Sequence, residues 1–227
     1  MTSPEARNGN GDSNPASGRR PEFRLLGLGA IVKEANVIRD VPAVLEMYKS
    51  PHAISHLADV TPETTVDETA RYYFIHPEAK LFVATLPDNK IIGAMTVAKE
   101  EGLYSAKFSR LVTFSATEYL HKGVARVLVR RGLSYAFSGE DAGGLGVSSV
   151  TVAVILGLQD SQFAIDTFEK AGFELVGIRY EDRCKSWDPD KGELVFRDVR
   201  QLVLQRSKYV MRYGNDLAKP SSAPANK

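Results

Sequence analysis

Between Tyr119 and Arg126 the chain reads Tyr-Leu-His-Lys-Gly-Val-Ala-Arg, with small residues at Gly123 and Ala125 and basic types at His121, Lys122 and Arg126. A β-branched run ends just before it near Phe114, and helical periodicity begins at Val124. The first N–H groups of a helix have no carbonyl partner inside it and point outward along its axis. The aligned peptide dipoles add about half a positive charge at that end. Gly123 permits close approach to the main chain, while Lys122 and Arg126 can supply full charges. Such a turn can take an anion, and a pyrophosphate fits it. An ordinary strand-to-helix loop carries the same short signature, so other parts of the chain must separate the two readings.

Groups able to move protons are scattered. Tyr180, Glu181 and Asp182 stand together at the end of a later strand, His56 lies upstream, and His121 sits beside the candidate phosphate turn. No Asp or Glu occurs between Glu101 and Glu118, so the strand ahead of the turn brings no carboxylate. Cys184 is the single cysteine, which excludes an intrachain disulfide and a paired-cysteine metal site, and no metal is expected.

The elements that must position these groups follow from the apolar pattern. A strand is expected over Ile31–Ala35. Asp40 reads as an N-cap with Pro42 just inside a helix carrying Val44, Leu45, Met47 and Tyr48. Thr65–Glu68 forms a capping-box pattern ahead of a second helix that ends at Pro77. Leu81–Thr85 and Ile91–Ala98 form a hairpin across the turn formers Leu86–Lys90. A strand over Ala106–Phe114, a helix over Val124–Phe137, and a Gly-rich break over Gly139–Gly146 come next. The non-alternating run Ser149–Ile155 reads as a strand covered on both faces. A helix over Ser161–Ala171, Gly172 as its C-cap, a strand over Phe173–Arg179, a loop around Trp187–Gly192 and a strand over Leu194–Leu204 complete the order.

At 227 residues with 43% hydrophobic and 25% charged side chains, the chain can bury one sizeable core. The 29 basic and 28 acidic side chains leave a formal charge of +1, so no bulk field argues for nucleic acid or an anionic membrane. No apolar run approaches the ~20 residues that span a bilayer, and the basic-then-apolar order of a secretory signal is missing from the N-terminus. A soluble, cytoplasmic protein is expected, as a monomer or homodimer. Residues 1–22 have a Ser/Asn/Gly/Pro/Arg composition that cannot offset ordering entropy and read as a disordered tail. Residues 23–207 read as one domain, and 208–227 as a C-terminal tail that is mostly disordered.

The stretch Ser161–Gly177, with Phe168, Glu169, Lys170, Ala171, Gly172 and Phe173 leading into a strand, resembles the helix–Glu-Lys–Gly-Phe–strand segment of Gcn5-related N-acetyltransferases (GNAT). The earlier turn is similar to that family's pyrophosphate loop, Gln/Arg-x-x-Gly-x-Gly/Ala, with Gly123 and Ala125 at the small positions. The likeness spans about residues 31–205. It implies an α/β (α+β) fold with a mixed, mostly antiparallel seven-stranded central sheet flanked by helices, and acetyl-CoA or another acyl-CoA as co-substrate.

It also implies that the main chain at Val112, Thr113 and Phe114 holds the pantetheine arm, and that Leu120, His121, Lys122, Gly123, Val124, Ala125 and Arg126 hold the pyrophosphate. Ser161 and Phe168 fall at further cofactor positions. An amine of a protein, peptide or small molecule would attack the thioester carbonyl directly. Specificity would come from Ser50–Pro77, with His52, His56, Asp59, Tyr72 and Tyr73, and from Tyr180–Glu193, with Trp187. Phe196-Arg197-Asp198 resembles an aromatic-x-Asp pattern of the ribosomal-protein branch.

The sequence departs from the family pattern at three points. Leu120 replaces the usual Gln or Arg, Ser161 the frequent Asn, and Phe168 the frequent Tyr that protonates the leaving thiolate; an apolar residue also stands there in the ribosomal-protein branch. The strand carboxylate that often serves as general base is missing as well, which leaves Tyr180, Glu181, Asp182, His56 or solvent for proton removal. Three functions therefore compete: an N-acyltransferase, with Tyr180 and Glu181 as its catalytic pair; a CoA-binding module without turnover; and an unrelated α/β phosphate-binding protein.

Overall fold

A computed structural model describes residues 23–56, 61–63, 79–101, 107–158, 160–179, 185–214 and 217. The apolar runs of the sequence align into one eight-stranded sheet: β1 Phe23–Leu25, β2 Ala30–Glu34, β3 Ala79–Thr85, β4 Ile91–Glu101, β5 Lys107–Ser115, β6 Ser149–Ile155, β7 Glu174–Arg179 and β10 Val199–Gln205. The strand order is β1-β2-β3-β4-β5-β6-β10-β7. All neighbours are antiparallel except β5 and β6. A separate hairpin joins β8 Lys185–Asp188 to β9 Glu193–Phe196. Among the described residues the helices are α1 Val37–Tyr48, α2 Pro51–Ser55, α3 Val124–Phe137, α4 Ser161–Ala171 and α5 Arg206–Tyr213.

All seven expected strands are present, and the sheet has an eighth. Phe23–Leu25 was expected only as the start of the domain; it pairs antiparallel with β2, and Phe23 is buried. The run expected as one strand over Leu194–Leu204 is two. Residues up to Phe196 pair with β8, Arg197 and Asp198 break the run, and β10 inserts between β6 and β7. Trp187, expected in a loop, lies on β8. The turn itself is held by the Asp188 carboxylate, which accepts from the amides of Asp190 (3.1 Å) and Lys191 (3.3 Å). Beyond residue 207 the chain continues as α5, because Tyr209 is fully buried and stacks on Phe137 at 5.0 Å between ring centres. The helix expected behind Thr65 lies outside the described residues.

Two cores sit on opposite faces of the sheet. On one, Val124, Leu128, Val129, Leu133 and Phe137 of α3 and Ile165 and Phe168 of α4 pack with Phe82, Met95, Val97, Val152 and Leu202. Each fully buried Leu or Phe there contributes roughly 1.5–3 kcal/mol. On the other, Val44, Leu45 and Tyr48 of α1 cover Leu81, Val83 and Ala94. Gly132 lets α3 lie close on β4: a Cβ there would stand 2.4 Å from the Met95 methyl.

The start of α1 differs from the expected one. Asn36, not Asp40, is the N-cap. Its side chain accepts from the Arg39 amide at 3.0 Å, and the Asp40 carboxylate returns to the Asn36 amide at 2.9 Å. Two donors at the open helix end are thereby satisfied reciprocally. Asp40 is buried and also accepts from Arg39 Nε at 2.7 Å and Nη2 at 3.0 Å. The hydrogen bond from Arg39 holds its carboxyl below the ordinary aspartate range. Asp40→Asn should therefore cost roughly 1–2 kcal/mol at neutral pH. A lowered folded-state pKa stabilises above the unfolded value and is lost as pH falls through the folded one. Urea denaturation should accordingly show the gap between wild type and variant closing as pH drops through and below the usual aspartate range.

Candidate functional site

The parallel pair β5–β6 is a ladder of three residues: Phe108 opposite Ser149, Ser109 opposite Val150 and Arg110 opposite Thr151. Beyond them the strands part. β5 stays paired with β4 as far as Ser115 opposite Gly93, and β6 stays paired with β10 as far as Ile155 opposite Val199. From Leu111 to Ser115 and from Val152 to Ile155, backbone groups on the facing edges have no strand partner across the gap among the described residues. Unpaired main-chain donors and acceptors need another partner, water or ligand. Val112, Thr113 and Phe114 lie on this stretch of β5.

The chain leaves β5 through a single turn over Thr117–Tyr119 and enters α3 at Gly123, whose φ of 84° is left-handed. Glycine adopts that conformation without the Cβ penalty. Among the described residues no side chain caps α3; the first bond of the helix runs from the Val127 amide to the Gly123 carbonyl at 3.2 Å. The amides of Val124, Ala125 and Arg126 lie in the turn where no intrahelical acceptor exists. His121 also has a positive φ, 59°, a conformation uncommon outside glycine. Leu120, His121, Lys122, Gly123, Val124, Ala125 and Arg126 are thus gathered at the open end of one 14-residue helix, at the mouth of the gap. Its macrodipole is directed there, and Lys122 and Arg126 are exposed or nearly so.

The loop is braced from outside. Lys90 donates to Glu118 at 2.9 Å, which holds the Glu118 carboxyl below its ordinary range. The ammonium groups of Lys90 and Lys122 lie 5.3 and 5.1 Å from the Tyr119 ring centre, within cation–π range.

A second loop, after β6, meets the first. His121 Nε2 stands 3.6 Å from Asp160 Oδ1, and its ring lies edge-on to Phe163 with centres 4.2 Å apart. Asp160 was not among the residues singled out in the sequence; an acidic residue directly before a helix was its only signal. Ser161 accepts from the Leu158 amide at 3.0 Å and lies 2.8 and 2.9 Å from the carbonyls of Ile155 and Leu158. A hydroxyl has one proton to give, so this group is engaged by the turn between β6 and α4. Phe168 is buried in the core against Phe173, 5.4 Å between centres, and carries no proton to transfer.

The segments expected to set specificity are partly described. Ala53, Ile54 and Ser55 of α2 are buried, and α2 packs against β8. Ser186 of β8 is fully buried; Arg197 donates to it at 3.1 Å and to Asp188 at 3.0 Å, tying the hairpin to the end of β9. Tyr180, Glu181, Asp182, Asp59, Tyr72 and Tyr73 lie outside the described residues. Phe196-Arg197-Asp198 does not sit within a strand of the main sheet but at its break.

No family model matches this sequence, and no curated protein matches it. Solved structures do match the fold. A spermidine N-acetyltransferase from Vibrio cholerae in complex with CoA and spermine superposes with a TM-score of 0.62 at 19% identity, over 80% of this chain and 98% of that one. A GCN5-related N-acetyltransferase from Kribbella flavida gives 0.61 at 17% identity, over 78% and 97%. A putative phosphinothricin N-acetyltransferase gives 0.60 at 20%, over 78% and 98%. The chain has the fold of the Gcn5-related N-acetyltransferases, with β1 and the β8–β9 hairpin beyond the seven strands expected.

Ser161→Ala removes the acceptor for the Leu158 amide, a part-buried donor. It should lower stability by about 1–3 kcal/mol, read by chemical denaturation.

Proposed function

We propose that this chain is an N-acyltransferase that takes an acyl group from acetyl-CoA, or a related acyl-CoA, to an amine. The observation that carries this reading is the uncapped, left-handed start of α3 at Gly123, set at the mouth of the gap between β5 and β6. A neighbour of the same fold is described in complex with CoA and spermine, which supports both a CoA-type co-substrate and an amine acceptor.

In this assignment the amides of Val124, Ala125 and Arg126 receive the diphosphate, helped by Lys122 and Arg126. The facing backbone of Val112–Phe114 receives the pantetheine arm along the opened edge of β5. Acetyl-CoA, when bound, supplies an acyl group already activated as a thioester. The protein's own part is to orient that group in the gap, keep water out and polarise the carbonyl with fixed dipoles. Ser161 and Phe168 act from behind: one fixes the turn after β6, the other seats α4. Leu120 brings no polar group, so the phosphate contacts fall to the main chain and the two cations. Tyr180 and Glu181, next in the sequence after Arg179, are the proposed proton-handling pair. The acceptor would enter on the side where α2 meets β8.

A second reading has support of its own. β5 carries no carboxylate, and Phe168 has no hydroxyl. A domain that binds CoA without turnover would show both features.

One set of measurements on the full chain separates the readings. Acetyl-CoA should raise the melting temperature, and thiol release should appear with at least one amine from a panel of spermidine, a lysine peptide and a free peptide N-terminus. Stabilisation with no release on any amine would leave the binding module. No stabilisation would remove both readings.

Gly123→Glu places a carboxylate where the phosphates sit and forces a side chain into left-handed backbone. It should weaken CoA binding by at least about tenfold, ~1.4 kcal/mol, in a thermal-shift titration. Undiminished affinity would show that the loop does not hold the diphosphate.

A further inference from the structure

β7 is the outer strand of the sheet and, among the described residues, pairs with β10 alone. Outer strands expose a row of unpaired backbone groups, and proteins commonly blunt them with Lys or Pro. β7, Glu-Leu-Val-Gly-Ile-Arg, has neither. It shows Leu175, Val176 and Ile178 to solvent at 50%, 63% and 38%.

The register of β7 contains one irregularity. Leu175 stands opposite Leu202 and Gly177 opposite Gln201, so Val176 is an extra, bulged residue. On a regular strand, residues three apart lie on opposite faces and direct their backbone groups to opposite edges. The bulge cancels that alternation. Leu175 and Ile178 stand opposite Leu202 and Arg200, two apart on β10, and so share one face and one edge orientation. Glu174 and Arg179 stand opposite Val203 and Val199, four apart, and share the other.

The strand is therefore self-complementary about its midpoint. We propose that β7 pairs antiparallel with β7 of a second copy across a two-fold axis between Val176 and Gly177, joining two sheets into one. In that register Leu175 of each copy falls opposite Ile178 of the other, and Glu174 falls opposite Arg179. Apolar pairs and opposite charges directly across strands both stabilise. An unbulged strand could not do this. Its two-fold must pass through a residue facing its own copy, and an axis at Val176 would set Glu174 against Ile178. Lys208 of α5 ion-pairs with Glu174 at the same end of the strand, and Met211, one turn further on, is 81% exposed. A symmetric, isologous contact of this kind closes at two copies. The proposal is independent of what the chain transfers or binds.

The test is the mass of the full chain by sedimentation equilibrium across a concentration series. Wild type should weigh as a dimer at the upper concentrations. Val176→Lys, at an exposed position, should shift it to monomer without altering its circular dichroism. Glu174→Arg sets like charges opposite each other at both ends of the pairing and should weaken association by about tenfold or more. Adding Arg179→Glu should restore it, because the pairing is reciprocal. A wild-type chain that stays monomeric throughout overturns the proposal, as does a dimer indifferent to Val176→Lys and Glu174→Arg. A dimer that Glu174→Arg weakens and the double exchange does not recover overturns the register.

Discussion

The structure turns on the parting of two parallel strands after three paired residues. A sheet normally satisfies every backbone donor and acceptor of its inner strands, and a central strand with an open edge is costly unless something else occupies it. β5 and β6 accept that cost while remaining zipped to β4 and β10 on their outer sides. The gap is thus a fixed feature of a rigid sheet, held open from both flanks. A helix whose amides are uncapped begins at its mouth. Together they make a slot lined with main-chain groups, ending in a positively polarised turn.

Everything around the slot keeps those two features in place. The apolar face of α3, from Val124 to Phe137, is anchored on β4 and its neighbours, so the helix start cannot tilt away from β5. Glu118, Lys90, Tyr119 and Lys122 hold the loop by charge and cation–π contact, and Tyr119 also packs against the core. On the far side Ser161 closes the turn after β6 on the backbone of Ile155 and Leu158. His121 and Asp160 then bring the two loops within 3.6 Å. The slot has a main-chain interior and a side-chain frame, which is why a chain with Leu120 and Ser161 at positions usually polar and larger can still preserve the geometry.

Periodic apolar runs were easily read. Val124, Leu128 and Tyr135 announce α3, and Ser149–Ile155 announces a strand, although β6 buries one face through Val150, Val152 and Val154 and leaves Ala153 on the other exposed, so the expected cover on both faces is not there. The misread places share one cause: local signals with two good solutions. Asn36 and Asp40 are both capping types, and reciprocal hydrogen bonds make Asn36 the cap while drawing Asp40 inside the helix. The run from Leu194 to Leu204 looks continuous, yet Arg197 prefers Ser186 and Asp188, and the chain breaks there. Phe23 reads only as the start of the domain, with no strand announced, until β2 offers it an edge to pair with.

The sequence by itself determined the types and order of the elements from β3 to β7, and it marked the turn at Gly123. These depend on side-chain periodicity, on left-handed backbone and on helix ends, all of which act within a few residues. Only the tertiary structure decided that β5 and β6 part, that β10 inserts between β6 and β7, and that His121 meets Asp160. Those outcomes rest on hydrogen bonds and contacts between segments tens of residues apart, whose registers no local pattern encodes.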